Sequence, residues 1–392
     1  MNRRVPDTKK ILLIFGTRPE AIKMAPVIKE LAERADVTRL VCVTAQHRQM
    51  LDQALSLFKI QPDFDLNIMQ KGQTPTQVAS TVLEQLEGFL QKERPDWILV
   101  QGDTTTAMAA AIAAFYARIR IGHIEAGLRT YDKWQPFPEE INRRIVSTVS
   151  DLHFAPTEWA RQNLLKEGIE DGSIRVTGNT VIDALQYIRL LPQPQEITDL
   201  IAGLSISTRE QFPLSVKEAH STKRLVLVTA HRRENFGQPL EEICSALREL
   251  ASRGDVEIVY PVHLNPNVQE PVYRLLKGVA HITLLPPFDY LPLVHLMKHA
   301  YLILTDSGGI QEEATAFGIP VLVLRDVTER PEGIAAGTLK LVGTRQESIL
   351  SQARLLLDDL QAYHSMAKVA SPYGDGQAAK RIVDEILKDE WY

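Results

Sequence analysis

Short apolar runs recur along this chain, most of them followed by a polar segment and then by residues at helical spacing. In the first half, residues 11–15, 40–43, 97–100, 119–124, 152–154 and 174–176 read as buried strands. The stretch GTRPEAIKMAPVIKEL, a segment beginning near His47, and an Ala-rich stretch after Thr106 read as helices between them. The second half repeats the rhythm with strands at 225–229, 256–260, 281–285, 302–304 and 321–324. Strand–helix alternation of this kind predicts mostly parallel sheets covered by helices. Between about residues 191 and 223 the pattern weakens and becomes polar and proline-bearing, which predicts irregular surface structure. Helices at 347–357 and 376–388 close the chain.

The length, 392 residues, exceeds what one ordinary core accommodates and implies two domains. The economical architecture is α/β, two doubly wound Rossmann-like domains facing across a cleft, with sites at the carboxyl ends of the strands. The polar segments GTRPEAIK, QGDTTT, HIEAGLRT, TAHRREN, PVHLNPN and TDSGG all follow predicted strands and should gather there.

Composition narrows the partners. Hydrophobic residues make up 44% and charged residues 24%, as in an ordinary globular protein, and the net charge is −5 without a basic block. Nucleic acid is therefore not an expected partner. The two cysteines, Cys42 and Cys244, lack metal-ligand neighbours and read as buried thiols in a reducing compartment. No run of about 18 apolar residues indicates a membrane span. The charged N-terminus MNRRVPDTKK has no apolar signal segment behind it, so the expected location is the cytoplasm.

Residues 301–326, YLILTDSGGIQEEATAFGIPVLVLRD, form the most informative stretch. They read as strand, turn, helix over 310–317, the helix-stopping Gly318, and a second strand. Ser307, Gly308 and Gly309 stand at the mouth of that helix, where free N–H groups and a partial positive charge suit a diphosphate. Ser-Gly-Gly alone is equally well a tight turn with Ser307 as a cap. Glu313 stands one turn further in, on a helix face that could reach sugar hydroxyls.

Arg18 and Lys23 flank a helix start and suit either a phosphate or a solvated face. Asp103 and Glu125 stand just beyond strands, an odd location for merely solvated acids, although Asp103 or the threonines after it can equally cap a helix. Of Glu139 and Glu140, helix-start electrostatics explains one. His231, followed by Arg232 and Arg233, is a stronger candidate than a lone histidine, and His263 a weaker one. Arg330 lies beyond the strand that follows the Ser-Gly-Gly loop. There is no GxGxxG, Walker, HExxH or GxSxG signature.

Taken together, GTRPEAIKMAP, TAQHRQML, QGDTTT, HIEAGLRT, PEEINRR, TGNTVIDAL, TAHRRENFG, YPVHLNPNV, LTDSGGIQEEA, LRDVTERPE and PYGDGQA closely resemble the non-hydrolysing UDP-N-acetylglucosamine 2-epimerases of bacteria. They run from about residue 16 to 378 in that family's order. The resemblance implies a GT-B-like fold with domains over residues 1–178 and 179–374, and a C-terminal helix, 375–392, returning to the first. It implies a homodimer and interconversion of UDP-N-acetylglucosamine and UDP-N-acetylmannosamine for cell-surface polysaccharide. The expected path eliminates UDP to give 2-acetamidoglucal and re-adds it with the C2 proton on the other face. A net-neutral sequence of this kind requires no redox cofactor, and no metal ligands are expected.

Carried over by motif, Asp103, Glu125 and Glu139 become the acid/base candidates, with His231 beside the diphosphate or leaving oxygen. Arg18, Lys23, Ser307, Gly308, Gly309 and Arg330 become the nucleotide and phosphate binders, and Glu313 the ribose ligand. Some bacterial members carry an activating second UDP-N-acetylglucosamine site, matched here by Gln46, Gln49, Glu139, Arg232 and His263. Where those members have an arginine before Gln-Thr, this chain has Gly72, preceded by Lys71. Three rivals stay open at this level: a glycosyltransferase of the same fold, which needs only one base; a hydrolysing epimerase, which differs in how well UDP is held; and a non-catalytic nucleotide-sugar sensor.

Overall fold

The structure is a computed structural model and describes residues 8–45, 48–70, 72–204, 206, 223–367 and 371–388. The chain divides into two compact units, Met1–Gln186 with Tyr373–Tyr392, and Tyr187–Pro372.

The first unit is built on seven parallel strands: β1 (Lys9–Phe15), β2 (Val37–Val43), β3 (Phe64–Asp65), β4 (Trp97–Gln101), β5 (Arg120–Ile124), β6 (Leu152–Ala155) and β7 (Ile174–Val176). Their order across the sheet is β3-β2-β1-β4-β5-β6-β7. Ile11 to Phe15 and Trp97 to Val100 have no exposed surface, as strands covered on both faces by helices require. The order reverses between β1 and β4, so the loops beyond those two strands diverge to opposite sides and leave a crevice. GTRPEAIK and QGDTTT are the sequences of those loops.

Local chemistry fixes how the two following helices start. Thr17 and Glu20 form a capping box at the head of helix Arg18–Ala32, with Pro19 in its first turn. Thr104, rather than Asp103, caps helix Thr105–Tyr116 by accepting from the Ala107 N–H. Asp103 is thereby left for other work.

The second unit holds six parallel strands: β8 (Arg224–Thr229), β9 (Val256–Pro261), β10 (Ile282–Leu285), β11 (Leu302–Thr305), β12 (Val321–Val323) and β13 (Leu339–Leu341). The order is β10-β9-β8-β11-β12-β13, with the reversal between β8 and β11. TAHRREN and TDSGG follow those two strands. Each unit therefore has its own switch point, lined by segments that the sequence singles out.

The structure departs from the sequence reading in several places. Within the stretch expected to be irregular, residues 195–204 form helix Gln195–Leu204, whose buried residue is Ile197. A helix of ten residues with a single buried anchor leaves a weak apolar period. Strands β3 and β13, of two and three residues, are short and only partly buried, so no apolar run marks them. The last helix is Ala378–Ile386, because Gly376 has φ +79° and lies outside the helical region. The first unit continues through Gln186 rather than ending at 178. Asp183, in helix Thr180–Ile188, accepts the Ala379 N–H at 2.9 Å at the head of that last helix. Lys9 Nζ donates to the Leu387 carbonyl at 2.8 Å at its other end.

Candidate active site

In the first unit the candidate acids lie at the carboxyl ends of β4 and β5 and at the start of helix Glu139–Val149. Glu125 is the residue after β5 and has φ +64°, a left-handed conformation that costs a non-glycine residue about 1 kcal/mol or more. Gly127 tightens the same turn; a Cβ there would lie 2.2 Å from the Ala160 carbonyl oxygen. Glu125 is buried, and its Oε2 accepts from the Lys23 ammonium and from Asn179 Nδ2 at 3.0 Å. Lys23 is itself buried, on the first turns of the helix that follows β1. Arg18 opens that helix, half-buried.

Asp103 is half-buried and held by Arg143, whose Nε and Nη2 both reach Oδ2, at 3.0 and 2.5 Å. Asn142 Nδ2 fixes the same residue's carbonyl at 2.9 Å. Arg143 also donates to Glu140 at 3.1 Å. Glu140, fully buried, takes the Thr130 and Tyr131 N–H groups, so it is the structural member of the glutamate pair. Glu139 is half-buried on the first turn. His123 on β5 is buried and its Nε2 meets the Gly102 carbonyl at 2.9 Å, directly behind Asp103. Burial pushes the His123 imidazole down to about 3, so it is neutral at ordinary pH. Glu20, under the same loops, is raised above the usual carboxylate range by burial, against hydrogen bonds from Thr104, Thr17 and Gly16 that lower it.

In the second unit Ser307 is the N-cap of helix Gly308–Ala316, and its side chain makes no cap hydrogen bond. Helix geometry leaves the first-turn N–H groups without intrahelical acceptors. Gly308 is closely covered: a Cβ there would lie 2.5 Å from Arg330 Nη1 and 2.8 Å from its Cζ, so the guanidinium would have to shift. Gly309 has nothing within 4 Å of a Cβ. Arg330, expected to meet phosphate, is buried against the loop; its Nε donates to Glu312 and its Nη1 to Glu329, each at 2.6 Å. Burial raises the Glu329 carboxyl, but Arg330, Arg325 and Arg232 together hold it well below the usual range. Glu313 is buried and accepts from the Tyr290 hydroxyl at 3.0 Å. Burial and the Glu313 charge raise that phenol far above its ordinary value, so it remains a donor.

His231 follows Ala230 beyond β8 and stacks on His263, with ring centroids 5.3 Å apart. Its imidazole is lowered chiefly by burial, with Arg232 and His263 adding to the effect and Asp306 and Glu234 opposing it. Arg232 is half-buried and His263 exposed. In the first unit, Gln49 is exposed at the start of helix Arg48–Phe58. Gln46 and Lys71 lie outside the described residues; Gly72 has φ +76°. Among the described residues, no group of three or more His, Cys, Asp or Glu side chains is placed to hold a metal ion. No helix among them is long and apolar enough to cross a membrane.

The partners Arg143, Asn179, His123, Tyr290, Asp306, Glu312 and Glu329 carry no assignment from sequence. Asn142, Arg143 and Asn179 lie inside the motif strings PEEINRR and TGNTVIDAL, which was the available signal. Nothing in the sequence pairs Tyr290 with Glu313 or Glu329 with Arg330.

Two parallel α/β sheets with loaded switch points define a two-domain nucleotide-sugar fold of GT-B type. The family model described as UDP-N-acetylglucosamine 2-epimerase matches residues 29–387. UDP-N-acetylglucosamine 2-epimerase of Yersinia pestis is 54% identical over 375 residues, 95% of this chain and 97% of the relative. That of Escherichia coli K12 is 52% identical over 378 residues, 96% of this chain and 98% of the relative. The crystal structure of UDP-GlcNAc 2-epimerase from Neisseria meningitidis bound to UDP-GlcNAc superposes with a TM-score of 0.86 at 48% identity, covering 97% of this chain and 100% of that one. The chain belongs to the UDP-N-acetylglucosamine 2-epimerase family, an isomerase family, as the motif set implies.

Proposed function

We propose that this chain interconverts UDP-N-acetylglucosamine and UDP-N-acetylmannosamine without releasing the sugar. The C2 hydrogen is not adjacent to a carbonyl, so direct deprotonation is too costly. Elimination avoids that cost: the C1–O bond to UDP breaks, a C2 proton leaves, and 2-acetamidoglucal forms. Re-addition of UDP at C1 with protonation on the opposite face of C2 completes the epimerisation. Such a path needs an acid/base group for each face and stabilisation of departing UDP.

What supports the reading is the set of carboxylates in the first unit: Glu125 and Asp103, each held by a cation beyond a strand end, and Glu139 on the first turn of a helix. Lys23 and Asn179 both engage Glu125 Oε2 and fix its carboxylate. Arg143 engages Asp103 Oδ2 in the same manner. Glu139 supplies the third acid. In the second unit the first turn of Gly308–Ala316 receives the diphosphate, with Arg330 bracing that loop against Glu312 and Glu329. Glu313, oriented by Tyr290, takes the ribose hydroxyls, and His231 attends the leaving oxygen. Family membership and the Neisseria complex with UDP-GlcNAc support this substrate.

We further infer a cytoplasmic homodimer, activated by a second UDP-N-acetylglucosamine through Gln46, Gln49, Arg232 and His263, and serving cell-surface polysaccharide. The stack of His263 on His231 gives such an activator a route to the reaction. The test is chromatography of the products from UDP-N-acetylglucosamine. UDP-N-acetylmannosamine is expected; free N-acetylmannosamine with UDP refutes the reading. Light scattering from a sizing column, with a mass near twice 44.0 kDa expected, tests the dimer.

A further inference from the structure

Asp306 lies between β11 and Ser307 and is fully buried. Its Oδ2 accepts three hydrogen bonds: from the His231 N–H at 2.8 Å, the Arg232 N–H at 2.8 Å and Asn235 Nδ2 at 3.0 Å. Its Oδ1 is buried without a hydrogen-bond partner and lies 3.4 Å from His231 Nδ1. Three donors on one oxygen lock the carboxylate's rotation, so Oδ1 cannot turn elsewhere. A buried carboxylate oxygen without a donor is costly, and a proton on the nearest imidazole nitrogen relieves that cost.

We infer that Asp306 is a positioning residue for His231, holding its imidazole as the Nδ1–H tautomer and leaving Nε2 to the departing diphosphate. This rests on the role given to His231 above. An acid that orients a histidine through Nδ1 determines which nitrogen exchanges protons with the ligand. Nε2 accepts a proton in the neutral ring and donates one once the ring is charged, when Asp306 stabilises the imidazolium. The same carboxylate ties the β8 loop to the start of the Ser-Gly-Gly turn, so one group registers both the diphosphate loop and its histidine. Arg232, His263 and Glu234 also bear on the ring. The stacked His263 covers one of its faces.

The test is the tautomer of His231, read from nitrogen shifts of the full-length protein labelled with ¹⁵N-histidine. A His231→Gln variant picks its signal out of the ten histidines. The Nδ1–H form is expected in the wild type; the Nε2–H form there overturns the inference, whether or not Asp306→Asn folds. In Asp306→Asn the amide oxygen takes the three donors and the NH₂ faces Nδ1, so the ring should switch to Nε2–H. An unchanged tautomer in that variant is a contradiction. In kinetics, Asp306→Asn should lower kcat at least 10-fold in the wild type and less than 2-fold in the His231→Gln background. Equal losses in both backgrounds would mean that Asp306 acts by another route. If the wild type makes no UDP-N-acetylmannosamine, the proposed function fails while the tautomer spectrum still decides this inference.

Discussion

Replacing Gly308 and Gly309 separately by alanine separates the two duties of the diphosphate loop. A methyl at 308 would sit 2.5 Å from Arg330 Nη1, where ordinary contact begins near 3.4 Å, so the guanidinium has to retreat by about 0.9 Å. It cannot do so freely, because Glu312 and Glu329 each hold it at 2.6 Å inside the protein. Hydrogen bonds to charged groups contribute about 1.5–3 kcal/mol each, and overpacking costs about 1–3 kcal/mol. The better helix propensity of alanine offsets up to about 1 kcal/mol. Gly308→Ala should therefore destabilise the second domain by about 1–3 kcal/mol, lowering its melting temperature by roughly 2–4 °C for each kcal/mol. Gly309→Ala meets no atom within 4 Å and should leave the melting temperature unchanged or higher. If the diphosphate lies on that first turn, the 309 methyl intrudes on the ligand and should weaken UDP binding at least 10-fold. Calorimetric melting and UDP titration read the two effects. Wild-type stability in Gly308→Ala would refute the brace, and wild-type UDP affinity in Gly309→Ala would refute the phosphate site.

Glu125→Gln keeps the shape of the side chain but loses proton transfer, so C2 exchange should fall about 10²–10⁴-fold; a loss under 10-fold removes Glu125 from the chemistry. His123 has an ordinary value of 6.5 and a folded value of about 3, so the unfolded chain takes up a proton that the fold refuses. Its stabilising contribution is complete above pH 6.5 and is lost as the pH falls below that. Wild-type stability relative to His123→Gln should therefore decline by about 1.4 kcal/mol per pH unit below 6.5. Urea unfolding at pH 7, 6 and 5 checks this, and a constant difference between the two proteins contradicts it. If the activating site functions despite Gly72, initial rates with UDP-N-acetylmannosamine alone should rise when a trace of UDP-N-acetylglucosamine is added; unchanged rates dispose of the activation.

The parallel sheets were legible because strands buried on both faces are written as nearly pure apolar runs, such as Ile11 to Phe15. The candidate groups were legible where a polar residue directly follows such a run, as Glu125 follows Ile124. What the sequence withheld was pairing across long separations. The ion pair of Lys23 with Glu125, which lies in a different strand–helix unit, could not be read from the sequence. Nor does the sequence show that Glu312, on another helix, ion-pairs with Arg330. Asp306 read as part of a turn, and its link to His231 exists only because β8 and β11 are neighbours in the sheet. Helix Gln195–Leu204 escaped notice for the opposite reason, since a surface helix with one buried anchor barely modulates the pattern.

The most direct test of the central claim follows the sugar by proton NMR while the protein turns over UDP-N-acetylglucosamine in deuterated water. Elimination and re-addition predict deuterium at C2 of both nucleotide sugars, with UDP still attached. Epimerisation that keeps protium at C2, release of free N-acetylmannosamine, or no exchange at all would contradict it.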